Sequence, residues 1–157
     1  MKIRDLFEKW GLKEVELSGP FGGATFAPQD PDRAAAWDLY VELVTRIATQ
    51  RLRDGEGDEK AALSSLFKLW ERLRAALKAH PGCTEFAKLA IPFFNQRLRP
   101  FTARWHRREL ANAFADPTQC TLFRAELEQL RQEILHFTGM LSEIAAVEDL
   151  RPALMED

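Results

Sequence analysis

The sequence is poor in the residues that staple small proteins together. Of its 157 residues, two are cysteine (Cys83 and Cys120) and three are histidine. Neither cysteine sits in the multi-ligand spacing that a zinc site requires, and two cysteines are too few for a disulfide scaffold. Excess charge is missing as well: 22 Lys and Arg against 24 Asp and Glu leave a net charge of −2. No global field draws such a chain to nucleic acid or to an anionic membrane. No apolar run approaches the roughly 18 residues of a spanning helix. The opening MKIRDLFEKW lacks the apolar centre of a signal peptide. These absences point to a cytoplasmic protein with no membrane partner.

Apolar residues at 46% and charged residues at 29% predict one ordered domain over residues 1–157. Its first 29 residues differ in texture from the rest. Ile3, Leu6, Phe7 and Trp10 recur at helical spacing until Gly11. Val15 and Leu17, the GPFGG at 19–23, then Ala24, Phe26 and Pro28 predict a short β-hairpin. A lone hairpin is marginal in water, so its apolar face should lie on helices. The glycines do not form a phosphate cradle, because no helix opening with Lys and Ser or Thr follows them.

Four helices should fill residues 30–147, leaving a frayed tail at 148–157. The first is capped at Asp30-Pro31 and runs to about residue 51, with Trp37, Tyr40, Val41, Val44, Ile47 and Ala48 on its core face. DGEG at 54–57 breaks it. Asp58 caps a second helix to about Ala79, striped by Leu63, Leu66, Phe67, Trp70, Leu73 and Leu77. The third, over residues 83–115, carries Phe86, Ala90, Phe94, Leu98, Phe101 and Trp105 at helical spacing, with bends expected at Pro92 and Pro100. The last is capped at Asp116-Pro117, with Gln119 placed for a capping box. It shows an unbroken seam of Phe123, Leu127, Leu130, Ile134, Phe137, Leu141 and Ile144.

Short links between these helices predict an up-down four-helix bundle, mainly α, with about 65–70% helix against an average near a third. The two longer C-terminal helices should overhang their neighbours by roughly 15 Å, leaving a two-helix tip around residues 102–124. Pairing those two helices through a turn at 115/116 sets His106 opposite Ala125 and His136 opposite Asn95. The cysteines then stand at opposite ends, beyond disulfide reach. No pair of Glu-x-x-His motifs is present to hold two metals. No catalytic, metal or cofactor-binding residue is therefore assigned, and an enzyme is not expected.

The chemistry that stands out is basic. Arg97, Arg99, Arg104, Arg107 and Arg108, with Trp105 and His106, precede any acid until Glu109. One reading is inter-helix ion pairing with Glu126, Glu128 and Glu133. Another makes Arg97, Arg104, Trp105, His106, Arg107 and Arg108 a surface for a protein partner, since Arg and Trp are common at interface hot spots. A third has the 97–108 face bind nucleic acid or sense a nucleotide.

The segments FAPQDPDRAAAWDLYVELVTRI, GDEKAAL, EFAKLAI and above all LRPFTARWH resemble a family of small uncharacterised bacterial proteins. Their RPFxx[RK]WH element is similar to one that recurs in proteins from phage-defence and conflict-system operons. Where family members have Tyr-Ser-Leu-Phe-Pro in the second helix, this chain has Phe67-Lys68-Leu69-Trp70-Glu71. The resemblance implies a non-catalytic accessory or adaptor of an antiphage system. Its partner would be another protein, a second copy of the chain included, ahead of nucleic acid.

Overall fold

The computed structural model describes residues 1–17, 21–46, 51–53, 55 and 58–155. The chain is mainly helical, at 75%. In order come α1 (Ile3–Lys9), α2 (Asp30–Thr45), α3 (Glu59–Ala79), α4 (Thr84–Phe93), α5 (Arg99–Leu110), α6 (Pro117–Ala145) and a short α7 (Pro152–Met155). Among the described residues no helix is long and apolar enough to cross a membrane.

Helices α4 and α5 are the two halves of the one predicted over 83–115. A π-turn, Phe94–Leu98, joins them, and Arg99 N–H closes it on the Phe94 carbonyl. The cause lies in the flanking prolines. Neither Pro92 nor Pro100 can donate a backbone hydrogen bond, and the wider turn absorbs the misfit without breaking the rod. The apolar stripe survives: Phe86, Ala90, Phe94, Leu98, Phe101 and Trp105 are all buried. So are all the seam residues of α6, from Phe123 to Ile144. Phe93 stacks on Phe137 with ring centres 4.2 Å apart, so the two chains of side chains meet in the expected antiparallel register.

The core face of α2 is rotated from its predicted phase, whereas that of α3 keeps Leu63, Leu66 and Leu73 buried, with Trp70 and Leu77 packed at its edge. On α2 the buried residues are Ala35, Ala36, Leu39, Tyr40 and Leu43, whereas Trp37 and Val41 are exposed. Alanines allow α2 to approach α6, its most extensive neighbour, and close packing outweighs the larger hydrophobicity of Trp37. Helix α2 ends at Thr45, and Ile47 and Ala48 lie outside the described residues. On α3, Leu69 is fully buried while Phe67 is exposed. Asp58 caps α3 as expected, accepting the Lys60 N–H at 3.0 Å. The start of α2 is held differently. Buried Asp32 accepts the N–H of Gln29 at 2.8 Å and that of Phe86 at 2.9 Å, so one carboxylate closes the N-termini of both α2 and α4.

The predicted β-hairpin is not formed: no strand occurs among the described residues, and 18–20 of its turn lie outside them. Instead, Ile3 N–H donates to the Ala24 carbonyl at 3.0 Å and Phe26 N–H to Met1 at 2.8 Å, so residues 24–26 pair with the N-terminus. The backbone that would have paired is engaged elsewhere. Gln96, on the π-turn, accepts from Glu16 N–H at 2.7 Å and donates to the Glu16 carbonyl at 2.6 Å. One amide side chain thereby replaces a partner strand.

The tail is docked rather than frayed over residues 148–151. Tyr40 hydroxyl donates to the Glu148 carbonyl at 3.1 Å and accepts from Leu150 N–H at 2.8 Å. The Arg151 guanidinium lies 5.0 Å from the centre of the Trp10 ring and is gripped by Asp149 at 2.7 Å. Gly139 makes room for it, since a Cβ there would sit 2.6 Å from both Arg151 Cζ and Trp10 Cζ3.

Candidate interaction site

Helix α5 lies between α3 and α6, and it divides the six candidate residues between two sides. Towards α6, Arg97 Nε lies 3.2 Å from Glu133 Oε2, and Arg104 Nη2 lies 2.8 Å from Glu126 Oε2. Trp105 is fully buried and donates its indole N–H to the same Glu126 oxygen at 2.6 Å. Phe114 stacks on the indole at 5.9 Å, Phe123 meets it edge-on at 5.1 Å, and the Arg108 guanidinium lies 4.7 Å from its centre. A shallow groove of about 250 Å³ runs here between Arg97, Arg104, Glu126 and Glu133, over Pro100, Phe101 and Leu130. Two cations match two acids across it, so this side is electrically closed.

Towards α3 the surface is open. His106 faces α3 rather than Ala125, meeting Phe67 edge-on with ring centres 5.5 Å apart. One rung further, Arg99 lies over Trp70 at 4.6 Å. At the other end, Lys60 pairs with Glu109 at 3.2 Å. Between these rungs lies a hollow of about 440 Å³ lined by Lys60, Ala61, Leu63, Ser64, Phe67, His106 and Glu109. Arg107 points outward, exposed, and its side chain makes no hydrogen bond or ion pair among the described residues. Leu110 beside it is 72% exposed.

The expected two-helix tip is therefore absent. The start of α3 reaches the end of α5 through Lys60 and Glu109, and Arg124 of α6 donates to Glu59 Oε1 at 2.8 Å. That bond holds the Glu59 carboxyl below its usual range, outweighing its partial burial. The overhang fails because α5 stops at Leu110, where Asn112 turns the chain at a φ of 62°. Asp116 caps α6, accepting the Thr118 N–H at 2.9 Å.

The three histidines lie in separate environments. His80 bonds Asp38 at 2.7 Å, His106 meets Phe67, and His136 abuts Gly11. The one Glu-x-x-His in the chain, Glu133 to His136, splits between Arg97 and Gly11. Among the described residues no cluster of three His, Cys, Asp or Glu side chains could hold a metal. Cys83 and Cys120 are free thiols. Burial raises the titration of both thiols, with Asp32 adding to it at Cys83 and Glu59 at Cys120.

Phe67, Trp70 and Arg99 join the site, although the first two are expected as core and Arg99 only as part of the basic 97–108 stretch, outside the partner-binding candidates. The signal was available for Phe67, which falls on the edge of the α3 stripe beside Lys60 and Ser64. Compared with protein-family models, curated proteins and solved structures, the chain matches none.

Proposed function

We propose that this chain is a non-catalytic protein-interaction module, an up-down helical bundle that docks a partner on its α3/α5 face. The observation that carries this reading is the apolar hollow between α3 and α5, walled by the exposed rings of Phe67 and His106. Exposed aromatic side chains around a concavity are the usual anchors of a protein interface. The arginine face proposed from sequence contributes His106 to the lining of this hollow and exposed Arg107 on the outer side of α5, while Arg97, Arg104 and Arg108 act as struts. The resemblance of the LRPFTARWH element supports an accessory role in a bacterial defence system.

The test is co-purification of the tagged full chain from its host, with Phe67→Asp and Arg104→Gln variants alongside. Loss of the bound protein with Phe67→Asp and retention with Arg104→Gln is the expected result. Retention with Phe67→Asp, or loss only with Arg104→Gln, moves the interface to the α6 side and overturns the reading.

A further inference from the structure

We infer that the partner segment bound at the α3/α5 face is acidic and carries one large apolar side chain, an inference that rests on the docking reading above. Charge on this molecule is segregated. Beyond Glu59, the exposed charged residues of α3 are Lys60, Lys68, Glu71, Arg72, Arg74 and Lys78, five cations to one anion. On α5, exposed Arg99 and Arg107 extend the basic surface, and Glu109 is already engaged by Lys60. Arg72 is drawn away to Glu42 at 3.4 Å. Arg99 donates only to a neutral oxygen, Asn95 Oδ1, at 3.0 and 3.2 Å. In a chain whose net charge is −2, the exposed surface of α3 is thus basic. Complementary potential of that kind selects an acidic partner and speeds its encounter.

The apolar requirement comes from the hollow. It is an open depression of about 440 Å³, and Ala61, Leu63 and Phe67 give it an apolar surface. A partner Leu, Phe or Trp inserted there would cover Phe67, while acids on either side of the anchor reach Arg107 and Lys68. Nucleic acid fits this face less well. Single strands need free ring faces on which bases stack. Here the face of Trp70 is covered by Arg99, and one ring face of the edge-to-face pair Phe67–His106 is covered by the other ring.

The experiment is a selection from a random peptide display library on the intact chain, followed by binding of the recovered peptides to Phe67→Asp and to Lys68→Glu/Arg107→Glu. Circular dichroism first establishes that both variants are folded, and Phe67→Ala replaces Phe67→Asp if it is not. The expected winners are rich in Asp and Glu around a single Leu, Phe or Trp, and lose at least tenfold in affinity with either variant, about 1.4 kcal/mol. Winners that require Phe67 but are neutral or basic overturn the acidic assignment and leave the docking face standing. Winners indifferent to Phe67, or no Phe67-dependent winner at all, overturn the docking face itself. Tighter, Phe67-dependent binding of a fluorescent dT20 oligonucleotide would assign the face to nucleic acid instead.

Discussion

The two sides of α5 use the same residue types to opposite ends. Towards α6, Arg97 and Arg104 meet glutamates, Arg108 lies over the buried tryptophan, and the two cations across the groove have two acids. Towards α3, arginine and lysine exceed the available acid, and the aromatic rings stay partly in water. An arginine-rich helix is therefore not by itself a binding surface. What decides is whether the facing helix supplies glutamates, as α6 does at Glu126 and Glu133, or leaves the guanidinium without an acid, as at Arg99 and Arg107.

The sharpest way to break this comparison is to truncate adjacent residues that lie on its two sides. Trp105→Ala removes a fully buried ring and orphans the surrounding aromatics, so it should cost about 3–5 kcal/mol. His106→Ala, at the rim of the open hollow, should cost under about 1 kcal/mol. Urea denaturation compares the two, and similar losses would show that the α3 side is core as well.

A smaller contrast comes from the acids. Glu126 serves both Arg104 and the buried Trp105 N–H, so Glu126→Ala leaves an indole donor without an acceptor and should cost about 1–3 kcal/mol. Glu126→Gln keeps an acceptor and should recover most of that. Glu109→Ala breaks only the pair with exposed Lys60 and should cost about 1 kcal/mol or less. Thermal melts of the three variants decide whether Glu126 is the strut it looks like.

These contrasts also mark what was legible in the sequence. The stripes of α4–α5 and α6 were readable because they carry large apolar residues at unbroken helical spacing, and nearest-neighbour packing then follows. The face of α2 was not readable in the same way. Ala35 and Ala36 are core because they are small, and hydrophobicity alone ranks them below Trp37. The hairpin failed for a longer-range reason: Gln96 satisfies Glu16 from 80 residues away, and no local pattern announces it. For the site, the composition marked α5 correctly but could not tell which way each arginine leaned. That depends on the neighbour, and α3 could be placed beside His106 only once the end of α5 was known to be Leu110.

Acid should loosen the contacts that dock the tail and α1. Burial pushes the Glu143 carboxyl up, but hydrogen bonds from Lys9 and Trp10 more than offset it, and the net shift is downward. Arg151 holds Asp149 below its usual range. With both folded values depressed, the native state binds fewer protons than the unfolded chain in this window, so these groups stabilise at neutral pH. Their contribution should be complete above roughly pH 5 and fade as pH falls through the lowered folded values. Hydrogen exchange of residues 148–151 should accelerate over that window. In Arg151→Ala the Asp149 part of this dependence should vanish, and an unchanged pH profile would remove Asp149 from the latch.

The smallest expected effect is the most telling. Arg104 and Arg107 are one turn apart on α5 and both exposed, yet only Arg104 has an acid partner. Arg104→Ala loses a half-exposed ion pair and some packing of its stem, a cost of up to about 1 kcal/mol. Arg107→Ala removes a solvated side chain with no bond to lose, so stability should change by less than about 0.5 kcal/mol in either direction. Alanine even favours the helix slightly over arginine. The triple change of Arg104, Arg107 and Arg108 to Ala should therefore cost what Arg104 and Arg108 cost, with nothing added by Arg107. Partner binding should follow the reverse order, weakened by Arg107→Ala and nearly untouched by Arg104→Ala. If Arg107→Ala lowers the melting temperature as much as Arg104→Ala, the outward arginine has a structural partner. The two sides of α5 would then differ in less than charge balance implies.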